Sequence, residues 1–182
     1  MGLQSSVLVR LPSSPPKDSV NNIFRWRMDF FQPLIDAVLR GDEVAVSHII
    51  NLGNFSLDLS EADSNGMTAL HWAAISPESE RLVPNLISRG ASFQLCDAKR
   101  QTPLHLYCAK GRLYGVSCLL HSGADTNIQS SETLMTPLHL AVINNHADIA
   151  RLLLAFGADV NVKMSTGETA LELGLSNLLG SS

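Results

Sequence analysis

His71, His105 and His139 recur 34 positions apart, in the tetrapeptides "TALH", "TPLH" and "TPLH". Imidazole ligates metals and moves protons near neutral pH, so a zinc site or a general base is the first chemistry to test. Zinc holds its ligand nitrogens at about 2.0–2.1 Å, whereas packed helices run about 8–10 Å apart. If the interval marks successive stacked units, equivalent histidines cannot share one ion, and they read as structural. Other chemical signatures are missing from the sequence, which carries no "GxxxxGK", "GxGxxG", "HExxH" or "GxSxG". Asp63 in "DSNG" lacks the alternating oxygen ligands and closing glutamate of a calcium loop. Cys96, Cys108 and Cys118 are an odd set without CxxC spacing, which argues against a zinc or disulfide framework and reads as three small buried hydrophobes in a reducing compartment. No catalytic, cofactor-binding or metal-binding residue is assigned, and the chain reads as a non-enzyme without a small-molecule substrate.

Charge narrows the partner. Thirteen Lys plus Arg stand against seventeen Asp plus Glu, a formal charge of -4, and no basic stripe runs along the sequence, so nucleic acid is not expected as a ligand. The early apolar run "VLV" is cut off by Arg10, and no run nears the roughly 18 residues of a membrane helix. A soluble, cytoplasmic and secondarily nuclear protein is expected, in which "NFS" at Asn54 matches the glycosylation sequon only formally. "MGLQSS" fits the myristoylation pattern at Gly2, and membrane contact is expected only if that acyl chain is added.

The histidines are one letter of a longer echo. "QPLIDAV" at Gln32, "TALHWAA" at Thr68, "TPLHLYC" at Thr102, "TPLHLAV" at Thr136 and "TALELGL" at Thr169 share one register. A second marker follows the first four, ending at Gly53, Gly90, Gly123 and Gly157. Two independent markers at a period of 33 to 36 are the signature of a stacked repeat array. Each letter has a physical task. Thr102 and Thr136 can cap a helix start, and Pro103 and Pro137 follow where a missing N–H costs nothing. Leu138, Ala141 and Val142 fall on one face of that helix, Ile149, Leu152 and Leu153 form the buried stripe of a second, and Gly157 supplies the left-handed residue that ends it.

This pattern resembles the ankyrin repeat family over about residues 30 to 175, with a weaker likeness to the IκB-like inhibitors of Rel transcription factors in "RGASFQLCDAKRQTPLHLYCAKG" and "LAFGADVNVKMSTGETALELG". The resemblance implies an all-α solenoid of stacked helix-turn-helix units with protruding hairpin loops. It also implies that the histidines bond the capping Thr and the backbone of an adjacent loop. The expected organisation is a disordered tail over 1–22, a strand-like lead-in "FRWRMDFF" within 23–31, a capping first repeat at 32–65, repeats at 66–98, 99–131 and 132–164, and a partial fifth at 165–182. In that fifth copy Glu172 stands where His is usual, making a capping box with Thr169. Leu171, Leu175, Leu178 and Leu179 there form either a one-helix cap or the cut edge of a longer array.

Three departures from the pattern carry expectations. Pro84 falls where a second helix should be under way, so that helix should start late or kink and leave the second repeat locally weak. Tyr107 replaces a small alanine and should push helices apart or lean its ring toward a groove. Insertions lengthen the loops "SLDLSEADSNG" and "QSSETLM". In the resembled family the groove of loop tips and first helices binds proteins. By position this assigns Asn65, Met67, Lys99, Gln101, Thr133 and Met135 in the loops, and Ile75, Ser76, Ala109, Lys110, Ile143 and Asn144 at outward helix positions. The expected function is a non-catalytic protein-binding adaptor, scaffold or inhibitor whose partner is another protein, with a targeting segment of a larger enzyme or channel as the alternative.

Overall fold

The computed structural model describes residues 31–51 and 58–179. Expectations for Gly2, the 1–22 tail, the lead-in up to Phe30, Gly53 and Asn54 fall outside these residues. Phe31 is already helical and packs against the core, so it belongs to the first helix rather than to a strand.

Helix α1 covers 31–39 and α2 is Glu43–Asn51. After a loop come α3 (Ala69–Ile75), a 3-10 turn (Pro77–Leu82) and α4 (Val83–Ser88). Two regular pairs follow, α5 (Pro103–Ala109) with α6 (Leu113–His121) and α7 (Pro137–Ile143) with α8 (Ala147–Ala155). The described chain closes with α9 (Ala170–Leu179). First helices stack on first helices, α3 on α5, α5 on α7 and α7 on α9, while α4, α6 and α8 form a second row behind them. Among the described residues the only β pairing is two isolated bridges, Ala62 with Thr68 and Lys163 with Thr169, so the architecture is the expected all-α solenoid.

The stack follows from burial. Helices of seven to nine residues are too short to hold alone in water, and their stability comes from covering apolar faces. Leu104, Leu119, Leu138, Ile149 and Leu153 are all at most 3% exposed, and the core runs as one cluster from Leu34 to Ala170. Each unit shares that core only with its neighbours, as expected for a quasi-one-dimensional array. Gly90, Gly123 and Gly157 end the second helices at φ +93, +91 and +87, a region that favours glycine.

Two departures resolve physically. Pro84 becomes the second residue of α4, where its missing N–H breaks no helical bond, and the residues ahead of it form the 3-10 turn. The late start is as expected. Tyr107 does not lean outward toward a groove: it is wholly buried, and Gly115 on α6 makes space for it. A Cβ at Gly115 would lie 2.2 Å from two ring carbons, so the large residue of α5 and the missing side chain of α6 fit each other. The expectation failed because it considered one helix without its partner.

The cysteines divide. Cys108 is buried and Cys118 half-buried, but Cys96 is exposed in the segment before the Asp97 loop, contrary to the reading of all three as core hydrophobes. Burial pushes the Cys96 and Cys118 thiols up.

Candidate partner-binding face

The face is built by a repeated polar linkage. At each first-helix start the capping box is reciprocal: the Thr side chain accepts the backbone N–H three residues on, and the His side chain accepts the Thr N–H. The Thr N–H donates to histidine Nδ1 at 3.1 Å for Thr68 and His71, 3.1 Å for Thr102 and His105, and 3.3 Å for Thr136 and His139. An accepting Nδ1 leaves the proton on Nε2. That proton bridges repeats, with His71 Nε2 donating to the Gln101 carbonyl at 3.0 Å and His105 Nε2 to the Met135 carbonyl at 3.3 Å. The histidines are hinge pins between units, as the resemblance implied. Burial lowers the proton affinity of all three, to about 4 for His105, which keeps the rings neutral.

His139 breaks the series. Its Nε2 is buried without a hydrogen-bond partner: the Glu168 carbonyl faces it and raises its proton affinity, but stands outside hydrogen-bond geometry. Glu172 instead caps α9 from within, accepting from the Thr169 N–H at 2.7 Å, and its carboxyl is held low by that bond.

The first two of these loops are organised by one carboxylate each. Asp63 Oδ1 accepts from the Asn65 and Met67 N–H at 2.8 and 3.0 Å, and Asp97 Oδ1 from Lys99 and Gln101 at 2.9 and 2.8 Å. Ser130 takes this place in the third loop, accepting from Met135 at 3.1 Å. Leu134 at φ +51 takes the left-handed position that Gly66, Arg100 and Gly167 hold in the other loops, two residues before the capping Thr. Neighbouring tips are then joined in sequence: Ala98 N–H to the Asn65 carbonyl at 2.8 Å, Ser131 to Lys99 at 2.9 Å, and Ser165 to Thr133 at 2.9 Å. The loop residues named from sequence therefore lie in one continuous row. The two aspartates that hold it were not assigned, although Asp at the first position of a turn is a readable signal.

Along this row Asn65, Lys99 and Thr133 are exposed at the tips, whereas Met67, Gln101 and Met135 are half-buried. On the first helices Ile75 (39%), Ile143 (36%), Lys110 and Asn144 are exposed and Ala109 is half-buried. Ser76 departs from its expected outward position. It is 9% exposed, and its hydroxyl lies 2.8 Å from the Leu39 carbonyl and 2.6 Å from Glu78 Oε2, tying the second unit to the first. The irregular "ISPESE" turn draws it inward. Leu134, not assigned from sequence, is 40% exposed at the loop position that the exposed Arg100 holds one repeat earlier.

A family model described as ankyrin repeats in three copies matches residues 76–164. The chain belongs to the ankyrin repeat family. Its relatives include a protein assigned as palmitoyltransferase ZDHHC13 of Danio rerio, 36% identical over 68% of this chain and 19% of that protein. Ankyrin repeat and SOCS box protein 16 of Homo sapiens is 33% identical over 81% of this chain and 32% of its own length. The Nuclear factor NF-kappa-B p105 subunit of Gallus gallus is 29% identical over 74% of this chain and 14% of its own. The chain thus spans less than a third of each of these relatives. Ankyrin repeats are protein-interaction modules, and among the described residues no helix is long and apolar enough to cross a membrane.

Proposed function

We propose that this ankyrin array binds a partner protein along the row of loop tips and first helices, acting as a non-catalytic adaptor, scaffold or inhibitor in the cytoplasm or nucleus. The observation that carries the reading is the unbroken linkage of loop tips, which sets Lys99, Leu134, Ile75 and Ile143 on one rigid face with their side chains uncommitted. Exposed apolar side chains on a preorganised surface favour association because little ordering entropy remains to be lost. The test is affinity capture with the intact chain, its Ile75→Ser/Lys99→Ala/Ile143→Ser variant, and a variant changed on the second-helix row, Arg89→Ala/Arg151→Ala. Proteins held by the first and third but lost by the second support the reading. Equal capture by all three overturns it.

A second reading is favoured by the palmitoyltransferase relatives, of which this chain matches only a part. There the array is the targeting segment of a larger protein, and the same face selects what that protein acts on. The likeness to the p105 subunit supports a third version, an inhibitor of Rel-class factors, which requires micromolar binding to a purified Rel homology domain.

A further inference from the structure

We propose that Asn65 is a site of spontaneous covalent modification, converted through a succinimide to aspartate and isoaspartate, and that the isoaspartate form unlinks the first loop tip from the second. This goes beyond the partner-binding reading and does not depend on it.

The chemistry is that of Asn followed by Gly. The Gly66 backbone nitrogen attacks the Asn65 side-chain carbonyl carbon, a five-membered ring closes and ammonia leaves. Water then opens the ring at one of its two carbonyls. Breaking the new bond between nitrogen and Cγ gives aspartate. Breaking the original peptide bond gives isoaspartate, whose chain runs through Cγ and carries an extra backbone methylene. Either product has exchanged an amide for a carboxylate. A side chain on the following residue hinders the attack, and the sequence holds a single Asn-Gly pair.

The structure leaves Asn65 free to react. It is exposed at its loop tip, and among the described residues its side-chain amide makes no hydrogen bond. Asn127, by contrast, accepts the Asp159 N–H through Oδ1 at 2.8 Å, and Asn161 donates from Nδ2 to Asp159 Oδ1 at 3.1 Å. Each of these is followed by a β-branched residue, Ile128 or Val162, which crowds the attacking nitrogen. Gly66 is fixed by the fold: it sits at φ +75, and a Cβ there would lie 3.1 Å from the backbone of Asp97 and Ala98. Asn65 is not so fixed, since Lys99, Thr133 and Thr166 fill the same place in the other loops. The Gly66 N–H is held by the Asp63 carbonyl at 2.9 Å, so attack waits for that turn to open. One such bond slows the folded chain roughly tenfold relative to the unfolded one.

The two products differ in what they do to the row of tips. The Asn65 carbonyl accepts the Ala98 N–H at 2.8 Å, the bond that joins the first tip to the second. Asp63 brackets this segment, its carboxylate accepting the Asn65 and Met67 N–H and its own N–H donating to the Met67 carbonyl at 3.1 Å. An extra methylene inside that bracket displaces the carbonyl from Ala98. Aspartate leaves the backbone unchanged and keeps the link.

The test stores the full chain at neutral and mildly alkaline pH, folded and in urea, and follows it by peptide mass spectrometry, with isoaspartate counted by enzymatic methylation. Residue 65 should exchange its amide ahead of Asn127 and Asn161, faster at the higher pH and about tenfold faster in urea, with isoaspartate among the products. In native-state hydrogen exchange the chromatographically separated isoaspartate form should lose protection at the Ala98 amide, while freshly purified Asn65→Asp and Asn65→Ser keep it. Conversion of Asn127 or Asn161 as fast as Asn65, or a folded chain slower than the unfolded one by more than about a thousandfold, overturns the site. Unchanged Ala98 protection in the isoaspartate form, or an equal loss in stored Asn65→Ser, which has no amide to cyclise, overturns the unlinking.

Discussion

His105 should make the array acid-sensitive by an amount that can be worked from its site. The ring is fully buried, accepts the Thr102 N–H and donates to the Met135 carbonyl, and burial lowers its proton affinity from 6.5 to about 4 against the smaller raising effects of the Met135 and Ile128 carbonyls and Asp97. Charged His71 would lower it further. Because the folded value lies below the unfolded one, the unfolded chain binds the proton more readily. The stability this neutral ring contributes is therefore complete above pH about 6.5, falls as the pH drops through the window down to about 4, and is gone below it. With about 1.4 kcal/mol per tenfold difference in proton affinity, the full effect is roughly 3 kcal/mol, and roughly 2 kcal/mol is lost by pH 5. His105→Gln removes the titration but keeps a side chain that can complete the capping box. Urea denaturation at pH 7.5 and 5.0 should show wild type losing about 2 kcal/mol more than the variant, since the other titrating groups are common to both. Equal losses in the two proteins, or a His105 ring resonance that titrates near pH 6.5 in the folded chain, would refute the reasoning.

Gly115→Ala should lower stability by about 1–2 kcal/mol, as overpacking against Tyr107 (about 1–3 kcal/mol) exceeds the helical gain of about 1 kcal/mol; in a Tyr107→Ala background the same change should stabilise, both read by urea denaturation. Asp97→Ala should cost about 1–2 kcal/mol by stranding the Lys99 and Gln101 amides, while Asp97→Asn retains most of the loop's stability, by the same assay. Native-state hydrogen exchange should be faster across residues 77–88, where a 3-10 turn leads into a six-residue helix, than across Ala147–Ala155; equal protection contradicts the local weakness ascribed to Pro84.

Much of the fold could be read from the sequence because its units are local and repeated. Thr102, Pro103 and His105 each perform a task set by backbone chemistry within one turn, and the 34-residue interval then places the units against one another. What escaped depends on contacts between units. Gly115 is an unfavourable helix residue until Tyr107 is placed beside it, and Ser76 looks like a surface residue until the Leu39 carbonyl reaches it. Leu134 is exposed because it stands at the left-handed loop position, where the other repeats carry Gly66, Arg100 and Gly167.

The linkage that stacks the units also sets the terms on which the face can work. Gln101 and Met135 offer their side chains at the groove edge and their carbonyls to His71 and His105, so one residue serves binding with one group and stacking with another. Evolution or design can change these side chains freely, because the carbonyl belongs to the backbone and stays in place under any substitution that keeps the loop. The loop aspartates and the histidines have no such freedom. Where the ladder ends, at His139, the bridge is missing and Leu171 and Leu175 of α9 remain 68% and 52% exposed. That junction is held instead by helix packing and by loop bonds, Ser165 N–H to the Thr133 carbonyl and the Gln129 side-chain amide to the Lys163 carbonyl, both at 2.9 Å. A ligand confined to α3, α5 and α7 meets a surface pinned by two histidine bridges, whereas one that reaches α9 crosses a junction without such a bridge.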